Sequence, residues 1–467
     1  MRKATTSLAG AKWFIAVLLL LVSAAACGNG QDGGAEDAPN LEALAGHDRE
    51  DESRSEEGAD SGEQDAPDSG DLEDFSRDAA ALVAAIEETH PIFAMDGMLP
   101  EYYEELREEF LAAASAPIAR NAFIFAIQRY FTALRDGHMG VNPVFAELDT
   151  GFLDAEFEMR DGRLFLAGRP DAEVLGIGGL SVDEIIGMAA HWFFFENESA
   201  KALYIPRAIA RDAVLAHFGA EFEQRYGIRY VELAVLEDGA ESAMRVGILP
   251  PVQQQRHQWP DFVIRHEWLD DILLIDLRMF VDGEWIDEAV DIIEDAIAQS
   301  ARQFIVDLRG NGGGNSLVGQ RLVEAMGVEI PHHGAFRRMS PMAQQQRGWN
   351  AAEGTVEFAP SAASRNPNGV FVSVLTDKRT FSSSTMMAAW VQDGGFGNIV
   401  GEPSANSPSA FGDMLSFALP DSGIDVSISY TRFLRPDASA DQDTLWPDIP
   451  APAGDALEVA IRYLRDR

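Results

Sequence analysis

The feature that most constrains the fold is a short apolar run at 370–375, which is followed at once by a polar turn and then by a helical pattern. The run reads V-F-V-S-V-L, a continuous, partly β-branched pattern that is typical of a strand buried in a parallel sheet. Apolar residues between 386 and 391 then indicate a helix packed on that sheet. A strand that leads directly into a helix predicts an α/β fold.

Three serines, Ser382, Ser383 and Ser384, lie at this predicted strand-to-helix junction. A hydroxyl at such a junction projects from the sheet edge, among backbone N–H groups and near the positive end of a helix. That environment suits a nucleophile. Serine is also a common helix cap, so the junction alone leaves a purely structural role open.

A second predicted strand, 303–308, ends in a glycine-rich turn that contains Gly312, Gly313 and Gly314. Glycine allows a sharp turn and brings backbone N–H groups close to a ligand. Such N–H groups can form an oxyanion hole. The turn is therefore a candidate oxyanion hole for a nucleophile at the serine junction.

Hydrophobic periodicity predicts the remaining elements. Helices are expected in the N-terminal part at 74–90, 100–115 and 121–134, and short strands and helices are expected to alternate over 143–260. The later part should contain strands at 271–280, 303–308, 370–376, 413–419 and 424–432 and helices at 315–327 and 383–392. A further helix is expected after the first of these strands, with Ile286, Val290, Ile293 and Ile297 on one face.

Together the two junctions resemble the C-terminal-processing, or tail-specific, serine peptidases. The motif D-L-R-G-N-G-G-G stands at 307–314, T-F-S-S-S-T at 380–385, Q-D at 392–393 and V-G-E-P at 400–403. The resemblance implies an α/β catalytic core of stacked βαβ units (ClpP/crotonase-like). It also implies that Ser382 is the nucleophile and that the N–H groups of Gly313 and Ser383 bind the oxyanion.

The sequence departs from this family where many members carry a catalytic lysine, because Ser407 stands at that position. The motif D-G-H-M-G-V at 136–141 resembles the tricorn-like branch of the family, which implies that His138 is the base. A match to an acidic motif before Pro447 implies Asp441 as the orienting acid, with Asp443 as its rival. Without the resemblance, His138 would be interpreted as a histidine that fixes a turn with Asp136.

The N-terminus has the pattern of a signal peptide, 1–26, with a basic region and an apolar core. The run before Cys27 resembles a bacterial lipobox, and Cys27 is the only cysteine, so we expect lipidation there. An ordinary signal peptide and a free thiol are the alternative. The acidic, apolar-poor segment 27–72 is expected to be a disordered tether. Three further domains are predicted: 73–142 helical, 143–260 a small PDZ-like or generic α/β insertion, and 261–467 catalytic.

The net charge of −40 argues against a nucleic-acid partner. No dinucleotide, phosphate or metal-binding motif is evident, so no cofactor is expected. The expected function is a serine-type endopeptidase that acts on polypeptides outside the cytoplasm, anchored to a membrane by lipid. The alternatives are a catalytically inactive lipoprotein that binds peptides or serves as an interaction scaffold, and another acyl-transfer enzyme.

Overall fold

The computed structural model describes residues 72–141, 148, 150–225, 227–250 and 261–467. The predicted signal peptide, Cys27 and all but the last residue of the predicted tether lie outside these residues. The described residues form a mixed α/β structure with sheets of two, eight, six and five strands. The predicted α/β fold class is therefore confirmed.

The N-terminal part is helical because apolar side chains recur at helical spacing and face one core. In the first helix, Ala79, Leu82, Val83 and Ile86 are all buried. The α-helices span Ser76–Thr89, Tyr103–Ala113 and Arg120–Phe131, the 3₁₀ turns span Pro91–Ala94 and Thr132–Leu134, and the short strands span Leu72–Glu73, Ile118–Ala119 and Gly140–Val141.

The middle part is built on the eight-stranded sheet, whose pairs are antiparallel. Ser181 and Glu184 form a capping box that starts the helix after the glycine turn at 178–179. The strands span Phe152–Leu153, Phe157–Arg160, Arg163–Leu166, Glu173–Ile177, Leu180–Ser181, Phe222–Arg225, Ile228–Glu237 and Ala240–Leu249, and the helices span Val182–Trp192, Glu198–Ile209 and Asp212–His217. The PDZ-like assignment and the domain bounds stay predictions.

The six-stranded sheet, here called the core sheet, positions the two predicted motifs. It is parallel except for its antiparallel edge strand. Leu273 and Ile275 pack on one face, whereas Ile272 and Leu274 pack on the other, so both faces are buried. Its strands span Ile264–Leu269, Ile272–Leu277, Gln303–Asp307, Phe371–Thr376, Gly397–Gly401 and Ile449–Pro450, and the helices around it span Glu284–Ala298, Ser316–Ala325, Ser383–Asp393 and Ala456–Arg465.

The five-stranded sheet, here called the flanking sheet, joins the N-terminal and C-terminal parts. Strand Gly140–Val141 pairs with strand Asp425–Leu434, which brings the segment after His138 onto this sheet. Its other strands span Gly334–Arg338, Thr355–Phe358 and Phe411–Ala418, and the helix Pro341–Arg347 contacts it. Within the described ranges, none of the helices is long and apolar enough to cross a bilayer.

Candidate active site

Of the three serines at the predicted junction, only Ser382 presents its hydroxyl at the surface. Ser382 is partly exposed, whereas Ser383 and Ser384 are 4% and 0% exposed. The Ser383 hydroxyl donates to the carbonyl oxygen of Gly314 at 2.6 Å. The junction therefore offers one accessible hydroxyl, at the predicted position.

The backbone of Ser382 has an unusual conformation, with φ 53° and ψ −122°. A positive φ is sparsely populated by residues with a β-carbon and turns the chain sharply from strand into helix. The N–H of Ser382 donates to Oδ1 of Asn406 at 2.8 Å. Ser383 begins the helix, where N–H groups have no intrahelical acceptor. The serine hydroxyl thus lies beside an N–H group that is available to an anion.

The glycine turn, 310–314, is fixed to a neighbouring strand and to the serine junction by Asn311, which is fully buried. The Asn311 side chain donates to the carbonyl oxygen of Leu277 at 2.7 Å. Its backbone carbonyl accepts the N–H of Phe381, the residue before Ser382, at 3.1 Å. The glycine turn and the serine junction are therefore held as one unit.

Gly313 lies directly against the nucleophile candidate. A β-carbon at Gly313 would lie 2.7 Å from the carbonyl oxygen of Phe381 and 2.8 Å from Cβ of Ser382, and its φ is +96°. Only glycine fits this position. In this conformation the N–H of Gly313 donates to Oδ1 of Asn311 at 2.9 Å, so this donor is already in use.

His138 is 3% exposed and reaches the junction from the N-terminal part of the chain. The backbone N–H of His138 donates to Oδ1 of Asp136 at 2.8 Å, and this bond forms the tight turn of the D-G-H motif. Its ring packs on the ring of Phe381, with centroids 4.7 Å apart. Nδ1 of His138 is buried without a hydrogen-bond partner. The base candidate therefore lies beside the residue that precedes Ser382.

Two carboxylates lie close to His138, namely Asp136 and Glu196. Oδ1 of Asp136 is 3.9 Å from Nδ1 of His138. One ligand atom from each of the three residues lies within 4.8 Å of the others, so these side chains could also hold a divalent cation. The sequence analysis found no metal-binding motif, and the fold alone creates this cluster.

The two carboxylates have opposite pKa shifts. Burial opposes ionisation of Asp136, but the hydrogen bond from His90 and the nearby His138 outweigh it, so the pKa of Asp136 is lowered. Burial raises the pKa of Glu196, although His138 and the donors at Ser407 and Asn406 act against that rise.

The predicted acid Asp441 and its rival Asp443 are both exposed. Neither belongs to the described carboxylates clustered with His138. The Asp441 carboxylate attracts the nearby Arg432 guanidinium electrostatically. The backbone carbonyl of Asp443 accepts a hydrogen bond from the hydroxyl of Ser407 at 2.6 Å. The structure therefore places the predicted acid at the surface and a different carboxylate, Glu196, beside the base.

Two other residues singled out in the sequence lie in structural contacts. The Lys378 ammonium donates to the carbonyl oxygen of Met159 at 3.5 Å, in the middle part of the chain. Asp393 forms a buried ion pair with Arg435, with N–O distances from 2.7 to 3.1 Å. This pair ties the helix after Ser382 to the segment that leads toward Asp441.

Sequence reasoning did not identify Glu196 or Asn406. Glu196 has no motif of its own, and only the fold brings it next to Gly137 and His138. Asn406 lies in the segment where the family lysine was expected, so the departure from that motif was the available signal.

Residues 271–451 match the model of peptidase family S41. The structure of mature CPAF is 12% identical and similar in fold, with 84% of this chain and 95% of that chain covered and a TM-score of 0.58. Mature CPAF complexed with lactacystin is 13% identical, with coverages of 84% and 97% and a TM-score of 0.57. The photosystem II D1 C-terminal processing protease is 13% identical, with coverages of 84% and 97% and a TM-score of 0.43. No curated protein matches the chain.

The family match covers the glycine turn, the serine junction, the segment at 404–408 and the core sheet except its edge strand Ile264–Leu269. The similarity to CPAF covers most of the chain and concerns the fold. Residues 271–451 are therefore similar to peptidase family S41, and the chain is similar in fold to CPAF.

Proposed function

We propose that this protein is a serine endopeptidase that hydrolyses peptide bonds of polypeptides outside the cytoplasm. The observation that carries the proposal is the serine junction, where one exposed hydroxyl sits on a positive-φ residue beside a helix N-terminus and a buried histidine ring. A nucleophile, a base and backbone donors are the parts that acyl transfer requires.

In the proposed mechanism, Oγ of Ser382 attacks the scissile carbonyl carbon and His138 takes the hydroxyl proton. His138 then gives that proton to the leaving amine, and water releases the acyl group by the same steps in reverse. His138 serves in place of the family lysine, because imidazole exchanges protons near neutral pH.

The N–H groups of Ser383 and Gly313 are the proposed oxyanion donors. The Ser383 N–H is at the start of its helix. The Gly313 N–H must exchange its bond to Asn311 for one to the substrate oxygen. Substrate binding is therefore expected to reorient the glycine turn slightly.

The test is labelling of the full chain by a fluorophosphonate probe, which reacts with activated serines. Wild type should be labelled and should hydrolyse peptides, and Ser382→Ala should do neither while keeping the wild-type melting temperature. Ser384→Ala is the matched control, because this hydroxyl is buried two residues away. Labelling that survives in Ser382→Ala would contradict the assignment of the nucleophile.

A catalytically inactive, peptide-binding lipoprotein is the second candidate. It is favoured by Ser407 at the lysine position and by the Gly313 N–H, which already has an acceptor. An unlabelled wild-type chain that still binds extended peptides would support this candidate instead.

Lipid attachment at Cys27 and a location outside the cytoplasm complete the proposal. They rest on the leader-like sequence that ends at the only cysteine. Cys27→Ser should move the protein from the detergent phase to the aqueous phase in Triton X-114 partitioning, since the anchor would be lost. Equal partitioning of wild type and Cys27→Ser would count against lipidation.

A further inference from the structure

We propose that Glu196 is the positioning residue that orients His138, and that the segment 404–408, where the family lysine was expected, holds Glu196 in place. This inference rests on the proposed function. It assigns to Glu196 the task that the sequence resemblance assigned to Asp441.

The first observation is that His138 lacks a hydrogen bond that it needs. Its Nδ1 is buried without a partner, and an unsatisfied buried polar group costs on the order of 1–3 kcal/mol. A histidine base also requires an acceptor at the nitrogen that does not face the nucleophile, because that bond fixes the tautomer and the ring orientation. A carboxylate beside His138 would meet both requirements.

The second observation is that Asp136 already has other donors. Its Oδ1 accepts the N–H of His138, and its Oδ2 is 3.2 Å from Nε2 of His90. Nδ1 of His90 accepts the N–H of Ile92, so Nε2 carries the ring proton and donates to Asp136. Asp136 therefore fixes the turn that carries His138, and Glu196 is the other carboxylate of the cluster.

The third observation is that the D-G-H motif leaves space for Glu196. A β-carbon at Gly137 would lie 2.6 Å from Oε1 of Glu196 and 2.9 Å from its Cγ. The N–H of Gly137 donates to the same Oε1 at 3.3 Å. The absent side chain of Gly137 thus allows this carboxylate to approach the residue next to His138.

The fourth observation is that the segment 404–408 binds the other oxygen of Glu196. Oε2 accepts the N–H of Ser407 at 2.6 Å and the side-chain amide of Asn406 at 2.8 Å. The next residue, Asn197, donates to the carbonyl oxygens of Ser404 and Asp443. The side chains of Glu196 and Asn197 are therefore both bound to this segment.

Asn406 connects the positioning of the base to that of the nucleophile. Its Nδ2 donates to Glu196, and its Oδ1 accepts the N–H of Ser382. One buried amide thus sets the distance between the serine junction and the carboxylate beside His138. The segment that lacks the family lysine therefore contributes Asn406, which binds both Ser382 and Glu196.

In the proposed role, Nδ1–H of His138 donates to the Glu196 carboxylate when substrate is bound, directly or through one water. The proton stays on His138, and the carboxylate stabilises the imidazolium that forms during attack. The charged groups closest to His138 are Asp136, with His90 behind it, and Glu196. Arg432 lies near both carboxylates and near Asp441.

The experiment compares the full-length variants Glu196→Gln, Glu196→Asp and Asp441→Asn in kcat, KM and pH profile. Glu196→Gln should lower kcat by about 100-fold or more, toward the 10⁴-fold lost when a triad acid is replaced by its amide. KM should change little. The acid limb of kcat/KM should move to lower pH, since removing a negative charge beside an imidazole disfavours its protonated form.

Glu196→Asp keeps the charge and should recover part of the lost kcat. Asp441→Asn is the matched control and should stay close to wild type in all three measurements. Gly137→Ala gives a second variant, because its methyl group would displace Glu196; it should lower kcat in the same way.

Three results would overturn the inference while leaving the proposed function intact. The first is normal activity in Glu196→Gln together with loss of activity in Asp441→Asn. The second is a loss of activity in Glu196→Gln that leaves the acid limb in place and is not recovered by Glu196→Asp. The third is activity that EDTA removes and Zn²⁺ restores, which would make the cluster a metal site. A wild-type chain that the fluorophosphonate probe does not label would instead defeat the proposed function, and the inference with it.

Discussion

The backbone of Ser382 is the residue-scale feature that most clearly separates a nucleophile from a helix cap. A residue with a β-carbon at φ 53°, ψ −122° is strained. Such strain costs about 1–3 kcal/mol and persists where the surrounding structure enforces it. Here the enforcing contacts are the bond from its N–H to Asn406 and the contact with Gly313.

Replacing Ser382 by glycine should therefore stabilise the fold relative to replacing it by alanine. Glycine relieves the strain but loses more freedom on folding, so the net gain should be about 1 kcal/mol. Both variants lack the hydroxyl, and both should be inactive. Urea denaturation of the two variants measures the difference, and a less stable Ser382→Gly would show that the backbone is not strained.

At this scale the sequence pointed to the proposed nucleophile but not to the residues proposed to support the base. Ser382 follows from a motif that is local in the chain. The pairing of Glu196 with His138 joins residues 58 positions apart in sequence, and it depends on the space at Gly137 and on donors at Asn406 and Ser407. No local pattern records such a contact.

At the scale of the element, the glycine turn carries the oxyanion proposal. Gly310 and Gly313 both have positive φ, but they differ in their surroundings. A β-carbon at Gly310 would meet only a guanidinium nitrogen of Arg278, at 4.0 Å, whereas at Gly313 it would meet backbone atoms of the serine junction below 3.0 Å. Substitutions at Gly310 and Gly313 therefore separate the effect of a positive φ, which both share, from the effect of contact with the nucleophile, which only Gly313 makes.

We expect Gly313→Ala to lower both stability and kcat, the latter by about 100-fold or more if an oxyanion donor is displaced. Gly310→Ala is the matched control and should cost only the positive-φ penalty of about 1 kcal/mol, with kcat near wild type. Melting temperatures and steady-state kinetics report the two effects. Equal kcat in the two variants would remove Gly313 from the site.

Three central strands of the core sheet, Ile272–Leu277, Gln303–Asp307 and Phe371–Thr376, were predictable because each is a mainly apolar run that the sheet buries. The predicted strand 370–376 corresponds to Phe371–Thr376, and the predicted helix 383–392 to Ser383–Asp393. The strand Thr355–Phe358 was not predicted, because all four of its residues are exposed. It lies at the edge of the flanking sheet, where its T-V-E-F alternation does not correspond to a buried face.

At the scale of the whole molecule, three distant segments build the candidate site. His138 comes from the N-terminal part, Glu196 from the middle part and Ser382 from the core sheet. The pairing of Gly140–Val141 with Asp425–Leu434 holds the first of these in place. Buried Asp78 adds a second tie, because its carboxylate accepts the N–H groups of Asp421 and Ser422. The site therefore forms only when these three parts of the described chain fold together.

Stability of the whole molecule should decrease on mild acidification because two histidines are kept neutral inside it. Burial lowers the pKa of His217 to about 4 and that of His333 to about 3. Nδ1 of His333 accepts the indole N–H of Trp390 at 2.9 Å, which also requires a neutral ring. The unfolded chain binds these protons below about pH 6.5, whereas the folded chain does not. Between that pH and the folded-state pKa values, the unfolded state therefore gains protons and stability falls as pH falls.

We expect the free energy of unfolding to fall between pH 7 and pH 5, with His333 contributing about 2 kcal/mol of that loss. Urea denaturation across this range, which lies above the titration of ordinary carboxylates, measures it. His333→Asn keeps an acceptor for Trp390 but cannot take up a proton, so its stability should depend less on pH. His266→Asn is the matched control, because His266 is exposed on its strand and its replacement should leave the pH dependence unchanged. If His333→Asn instead shows the wild-type slope, His333 takes up its proton over the same pH range in the folded and unfolded chain, and its burial does not limit stability in acid.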